Sequence, residues 1–218
     1  PRSLLIARPS ALMGWDAKIY SCASDFPQLA VFVLHNEDAS LGSLPPAIKV
    51  HLGSPQEPTP YSYIIAWEDL LLVANASFQA DEITFEQLRE LYSPEYAQSQ
   101  SLDLNATFNL PAWTYPEGDE ARQVFDRSAL AGITSPPLAF IAPDPSAMLE
   151  ALASNPSAVG YLPASALALA SPEHSSQIKI LTLKDQPAES FRQPVIAEFS
   201  AKPDPFLNAF LQCLQEVR

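Results

Sequence analysis

Short apolar runs alternate with amphipathic stretches along nearly the whole chain. Such runs, bounded by turn residues, predict buried strands. Two of them, YSYIIAW and LLLVANA, are too rich in β-branched residues and too short to be separate helices. The other runs are SLLIA, LAVFVLH, AIKVHLG, PLAFIA, AVGYLP, IKILTL and PVIAEFS. With helices between them, these strands indicate an α/β fold with mostly parallel sheets.

Three of the predicted helices have clear start signals. Thr84 is followed three residues later by Gln87, which is the spacing of a capping box. Asp144 and Pro145 open a second helix, because aspartate caps a helix and proline fits its first turn. Asp204 opens the last helix of the chain in the same manner.

The two cysteines lie on apolar faces of predicted helices. Cys22 belongs to a helix expected over 14–26, and Cys213 belongs to the last helix. Burial is the usual state of cysteines on such faces. The spacing leaves open whether they form one disulfide or remain two buried thiols.

Composition excludes several classes of protein. The chain has 218 residues, of which 47% are hydrophobic and 17% charged, so it can form one large domain or two modest lobes. Its net charge of −13 argues against binding nucleic acid or an anionic membrane surface. The longest apolar candidate for a membrane span, Tyr63 to Ala76, is interrupted by Glu68 and Asp69.

Motifs for cofactor, catalytic and metal chemistry are missing from the sequence. It contains no GxGxxG, GxxxxGK or GxSxG stretch, so we predict neither an enzyme nor a cofactor. His35 and His51 end consecutive predicted strands, with Glu37 and Asp38 nearby, and imidazole and carboxylate groups suit zinc. Histidines at strand ends are more often ordinary surface residues, so we predict no metal site.

Four stretches resemble the type 2 periplasmic binding proteins of the phosphate-binding branch. They are ITFEQLRELYSPEY, EGDEARQVF, SAMLEALASNPSAVGYLPASAL and QPVIAEFSAKPDPFLNAFLQCLQ. The resemblance implies two lobes, with residues 1–72 and 192–218 in the first and residues 73–191 in the second. Two crossing strands would join the lobes, and a small ligand would lie in the cleft between them.

The resemblance also implies a function. The chain would be an exported solute-binding protein, periplasmic or at the cell surface, with any lipid anchor on a segment outside this sequence. A monomer would deliver its solute to the permease of an ABC-type transporter. The alternative is a scaffold or sensor domain that keeps this fold without a ligand.

The second-lobe loop departs from the pattern of phosphate binders, which have an arginine before a GSGT loop. Tyr115 stands at the arginine position, Glu117 matches an acidic position, and Gly118 is kept. The GSGT serine, second glycine and threonine are replaced, respectively, by Asp119, Glu120 and Ala121. A like charge about 4 Å from an anion costs about 4 kcal/mol at an effective dielectric near 20. A helix dipole returns only about 0.3–1 kcal/mol, so free phosphate is not the expected ligand.

The two acidic residues of this loop have two interpretations. Asp119 and Glu120 are good first-turn residues, so the favoured interpretation is that they stabilise the helix. In the other, they face a cationic or hydroxylated ligand, with Arg122 pairing with a carboxylate. Trp113 and Tyr115 flank the loop and would then offer an aromatic wall to an organic ligand.

The first-lobe loop has few ligand-binding groups. In ARPSALMGW the turn is formed by Ser10, Ala11 and Leu12, so a ligand would be held by the Ser10 hydroxyl, the only one in the turn, and by backbone amides. In HLGSP, Gly53 and Ser54 occupy a position where the family often has a cleft-lining serine. An ordinary turn explains HLGSP equally well, and Ser54 is retained as a candidate.

Overall fold

The computed structural model describes residues 2–35, 44–55, 57–92, 112–130, 139–184 and 191–216. The elements in chain order are β1 Arg2–Arg8, a 3-10 helix Ser10–Trp15, α1 Asp16–Ser24, β2 Leu29–His35, β3 Ile48–Leu52, β4 Ser62–Asn75, β5 Glu82–Thr84, α2 Phe85–Leu91, β6 Trp113–Thr114, α3 Glu120–Ser128, β7 Phe140–Ile141, α4 Pro145–Ser154, β8 Val159–Pro163, α5 Ala164–Ala168, α6 Pro172–Ser176, β9 Ile178–Ile180, β10 Thr182–Lys184, β11 Arg192–Phe199 and α7 Pro205–Glu216.

The chain divides into two compact units. One comprises Pro1–Glu68 with Gln193–Arg218, and the other comprises Asp69–Arg192. The chain passes from one unit to the other within β4 and again at the start of β11. The lobe boundaries drawn from the resemblance, 1–72 with 192–218 and 73–191, remain a prediction.

The first unit is built on the sheet order β2-β1-β3-β11. β1 lies parallel to both β2 and β3, whereas β11 runs antiparallel to β3. The second half of β1, Leu4 to Arg8, is buried throughout, as its continuous apolar run predicts. This arrangement places the carboxyl end of β1 at the entry to the 3-10 helix.

The helix predicted over 14–26 begins differently in the structure. A 3-10 helix covers Ser10–Trp15, and regular α-helix runs only over Asp16–Ser24. Cys22 of α1 forms a disulfide with Cys213 of α7, with the two Cα atoms 5.8 Å apart. The two cysteines are therefore bonded rather than separate thiols, and the disulfide fixes α7 against α1.

One long strand replaces the two predicted at YSYIIAW and LLLVANA. β4 runs for 14 residues, through both Glu68 and Asp69. Glu68 is only 5% exposed, and its carboxylate accepts a hydrogen bond from Trp15 Nε1 at 2.8 Å. Because that contact satisfies the carboxylate inside the first unit, the charge does not end the strand.

The predicted strand IKILTL is also revised, since it divides at Leu181. Its first part, β9, pairs with β4 and its second, β10, pairs with β5. The predicted strand PLAFIA is described only from Ala139 onward, where β7 covers two residues. The division of IKILTL arises because its pairing partners, which are distant in sequence, decide where a short strand starts and ends.

In the second unit, β4 pairs antiparallel with β8 and β9, while β6 lies parallel to β7. Its core contains a cluster of aromatic rings. The rings of Phe125 and Tyr161 stack with centroids 4.0 Å apart, and Tyr92 meets Phe125 edge-on at 4.7 Å. Among the described residues, no helix is long and apolar enough to cross a membrane.

The three helix starts signalled by capping residues are confirmed. Thr84 and Gln87 form both hydrogen bonds of a capping box, at 3.1 and 2.9 Å. Asp144 accepts a hydrogen bond from the amide of Ala147 at 2.9 Å and begins α4. Asp204 accepts one from the amide of Leu207 at 2.8 Å. These caps depend on neighbours in sequence and were therefore predictable.

Candidate ligand loops

Two loops of the second unit lie at the same edge of its parallel strand pair. β6 and β7 pair in register, Trp113 with Phe140 and Thr114 with Ile141, so the segments that follow both strands are neighbours. The first leads into α3 through Asp119, and the second leads into α4 through Asp144. This edge, at the carboxyl ends of strands and the amino ends of helices, is where anions commonly bind in α/β proteins.

Asp119 is the N-cap of α3. Its backbone is extended, and Oδ1 accepts hydrogen bonds from the amides of Ala121 at 2.8 Å and Arg122 at 3.4 Å. The preceding Gly118 has φ +89°, a conformation that favours glycine, and the tight turn brings the amide of Asp119 to Pro116 O at 3.2 Å. The Asp119 carboxylate thus already accepts hydrogen bonds from two amides at the start of α3, which are the kind of donor that binds an oxyanion at a helix N-terminus.

The Tyr115 ring lies in the core rather than at the loop surface. It is 0% exposed, and its hydroxyl donates a hydrogen bond to Tyr161 O at 3.1 Å. Burial raises the pKa of Tyr115 well above its usual value, and the charges of Tyr161, Asp119 and Asp144 act in the same direction. The alternative interpretation, in which this ring offers an aromatic wall, places it at the loop surface, whereas the structure buries it. A ligand role for Tyr115 remains a prediction.

Trp113 takes a different position from Tyr115. Its ring stacks on Phe140 with centroids 5.1 Å apart, and Phe140 is 53% exposed. Trp113 Nε1 is buried and has no hydrogen-bond partner in the part of the chain that the structure describes. An aromatic surface thus exists beside the loop, but it is formed by Trp113 with Phe140.

Arg122 is held by contacts beneath the loop. Its Nη1 donates a hydrogen bond to Tyr115 O at 3.1 Å, and its Nε lies 3.6 Å from Asp126 Oδ2, one helical turn away. The predicted pairing of Arg122 with a carboxylate thus includes Asp126. Glu117 is exposed, and Glu120 is partly exposed in the first turn of α3.

The loop of the first unit contains a residue that sequence reasoning missed. Arg8 ends β1 and is only 1% exposed. Its Nε and Nη2 donate to the two carboxylate oxygens of Asp16, at 2.5 and 2.6 Å, and its Nη1 donates to Pro9 O at 3.1 Å. A charged residue directly after a buried apolar run is the signal that could have revealed it.

The two predicted residues of this loop differ in exposure. Ser10 is partly exposed, whereas Ala11 is 0% exposed and can contribute only backbone groups. Ser54, in the separate turn after β3, is exposed. It follows Gly53, which has φ 87° and donates its amide to Pro194 O at 2.8 Å. The ligand roles of these residues stay predictions.

The histidines do not form a metal centre with other side chains in the part of the chain that the structure describes. His51 is 6% exposed, and its Nε2 lies 3.1 Å from Glu198 Oε2 on the paired strand β11. Glu37 and Asp38 lie outside the described residues. Within the described ranges, no group of three or more His, Cys, Asp or Glu side chains is arranged to hold a metal ion.

No protein-family profile matches the chain, and no curated protein sequence matches it either. Several solved structures, in contrast, match the chain. A phosphate ABC transporter substrate-binding protein from Clostridium perfringens, with bound phosphate, superposes with a TM-score of 0.75 at 12% identity, covering 98% of this chain and 93% of that one. An ABC-type phosphate transport receptor from Vibrio cholerae gives 0.67 at 16% identity, covering 98% and 93%.

A third match comes from a regulator. The CcmR regulatory domain of Synechocystis PCC6803, in complex with 2-PG, has a TM-score of 0.67 at 12% identity, covering 98% of this chain and 95% of that one. At these identities the likeness shows the fold alone. The chain has the type 2 periplasmic-binding-protein-like fold, as its sequence predicted, and that fold serves transport receptors and regulatory domains alike.

Proposed function

We propose that this chain is an extracytoplasmic solute-binding protein whose ligand is a small molecule other than free phosphate. It would deliver that solute, as a monomer, to the permease of an ABC-type transporter. The fold supports a binding role, because the matched structures are binding proteins and regulatory domains. Fold likeness does not specify a ligand, so the chemistry of the loops has to supply that part of the proposal.

The hydrogen bonds of Asp119 carry the proposal. Its carboxylate already accepts the amides of Ala121 and Arg122, at 2.8 and 3.4 Å. An incoming oxyanion would have to displace that carboxylate and remain close to its charge. Repulsion of about 4 kcal/mol at an effective dielectric near 20 exceeds the roughly 0.3–1 kcal/mol that the helix dipole supplies. A cationic or neutral polar solute meets no such penalty.

A thermal-shift titration tests the proposal. Phosphate, sulfate and molybdate form one arm, and amino acids, polyamines and sugars form the other. A ligand at 100 times its Kd adds about 2.7 kcal/mol, which raises the Tm of a chain of this size by roughly 5–10 °C. We expect a rise in the second arm only, and a clear rise with an oxyanion would contradict the proposal.

An Asp119→Ser variant sharpens this test. Serine still caps a helix, so α3 should keep its start while the charge and the competing acceptor are removed. We expect the variant to gain a phosphate-dependent rise in Tm that the wild type lacks. Asp204→Ser is the matched control, because it makes the same change at the start of α7, in the other unit. No gain in the Asp119 variant would mean that charge is not what excludes phosphate.

The disulfide supports export. Cys22 and Cys213 are bonded, and disulfides persist mainly in oxidising compartments such as the periplasm or the cell exterior. Secretion to such a compartment is what a transport receptor requires. Fractionation of producing cells, followed by a thiol assay on the denatured protein, would test this part of the proposal. Free thiols in cytosolic material would contradict it.

The second candidate is a sensor or scaffold domain that has lost its ligand. Two observations favour it: the chain's own carboxylates engage the α3 amides and Arg8, and a regulatory domain is among the structural matches. This candidate would be favoured if no solute in the titration raised the Tm of the wild type. A phosphate response in the Asp119→Ser variant alone would then indicate a former anion site.

A further inference from the structure

Arg8 is the most deeply buried charged group described in the first unit. Its guanidinium is 1% exposed and meets Asp16 through two parallel hydrogen bonds, from Nε at 2.5 Å and Nη2 at 2.6 Å. This side-by-side arrangement is the fork with which arginine binds a carboxylate, and it fits a planar two-oxygen group better than a single-point anion.

The two partners differ in their access to solvent. The Asp16 side chain is 29% exposed, whereas that of Arg8 is 1% exposed. Asp16 belongs to α1 and Arg8 to β1, so the carboxylate comes to the guanidinium from a separate element while keeping contact with solvent. A small carboxylate arriving from solvent would reach the guanidinium at the position that Asp16 now occupies.

We propose that Arg8 is a binding site for a small carboxylate, and that the native chain fills this site with the side chain of Asp16. Binding is an exchange in which one carboxylate leaves the guanidinium and another takes its two hydrogen bonds. Formate and acetate are the simplest members of this ligand class. The third bond of Arg8, to Pro9 O at 3.1 Å, stays in place and keeps the guanidinium oriented.

Competition by a tethered group explains why the site is closed in the native chain. A group held by a short stretch of chain has an effective concentration of millimolar or more. Free carboxylates below that concentration do not displace Asp16, and a ligand that does so needs further contacts. The inference rests on the proposed function in one respect, which is that the loop after β1 belongs to the ligand site. It extends that proposal by naming a carboxylate as a chemical group that this loop can bind.

An Asp16→Ala variant opens the site and provides the test. Removing one partner leaves a buried, unpaired guanidinium, so we expect the Tm to fall on the order of 10 °C. Formate or acetate should then restore stability with a saturable dose dependence. At ten times the Kd, the recovery should be roughly 3–6 °C. Wild-type protein should respond to neither anion at the same concentrations.

Two further variants separate this site from general anion effects. Asp16→Asn loses the charge but keeps the volume, so it should be destabilised without being rescued. Asp25→Ala removes an exposed carboxylate at the other end of α1 and should not respond to formate. Sodium chloride at equal ionic strength controls for screening.

An Asp16→Ala variant as stable as the wild type, or one that formate does not rescue, would overturn the inference. If Asp16→Ala does not fold in buffer, Asp16→Ser, which also removes the carboxylate and leaves room beside Arg8, replaces it, and its urea midpoint is compared in formate and in sodium chloride at equal ionic strength. A midpoint raised by formate alone supports the site, and equal midpoints in the two salts overturn it. These measurements need no native solute, so a failure of this inference can be distinguished from a failure of the proposed transport function.

Discussion

At the scale of single residues, Gly160 shows how one missing side chain permits packing in the second unit. A Cβ at this position of β8 would lie 2.7 Å from Met148 Sδ and 3.4 and 3.5 Å from two Leu152 carbons of α4. We expect Gly160→Ala to destabilise by about 1–3 kcal/mol, because extra volume in a filled core forces its neighbours to shift. The midpoint of urea unfolding measures the change.

A double variant identifies the cause. Adding Met148→Ala should recover part of the loss from Gly160→Ala, since it removes the atom that the new methyl meets. Gly118→Ala is the contrasting control, because nothing lies within 4 Å of its Cβ and its φ of +89° alone disfavours alanine. Strictly additive effects of Gly160→Ala and Met148→Ala would contradict the packing explanation.

At the scale of elements, the buried tyrosines of the second unit predict loss of stability at alkaline pH. Burial raises the pKa of Tyr92, Tyr115 and Tyr161 in the folded state above their ordinary value of 10.0. Their contribution to stability is therefore complete below pH 10 and is lost as the pH rises through and above it. Three such groups give a slope of up to about 4 kcal/mol per pH unit.

Urea midpoints measured between pH 9 and 11.5 check this slope. Tyr115→Phe should lower the slope by about a third, because one of three shifted groups is gone. Tyr20→Phe serves as the control, since Tyr20 is 50% exposed on α1. A slope in the Tyr115 variant that matches the wild type would mean that its hydroxyl already ionises in the folded protein.

How much the sequence predicted also depends on the element. The cap of α2 by Thr84 and that of α4 by Asp144 were predictable, because a cap involves neighbours three residues apart. The unbroken β4 was not, since Glu68 is accommodated by Trp15, 53 residues away. In the candidate site, the capping role of Asp119 was foreseen, whereas the buried ring of Tyr115 depends on Tyr161. Contacts distant in sequence leave no local pattern.

At the scale of the whole molecule, the first unit is assembled from both ends of the chain. Pro1–Glu68 contains Cys22, and Gln193–Arg218 contains Cys213. The disulfide therefore joins the two pieces across a separation of 191 residues. A crosslink between distant positions restricts the unfolded chain strongly, and removing one typically costs about 2–4 kcal/mol.

We therefore expect the double variant Cys22→Ala, Cys213→Ala to unfold at a Tm roughly 5–15 °C below that of the oxidised wild type. Reductant should lower the wild-type Tm by a similar amount and leave the double variant unchanged, which separates loss of the crosslink from loss of sulfur packing. Since Asp69–Arg192 contains neither cysteine, the loss should appear first in the first unit. Hydrogen exchange that accelerates in β1 and α7 before α4 is the expected result, and equal acceleration in all three would show that the two units unfold as one.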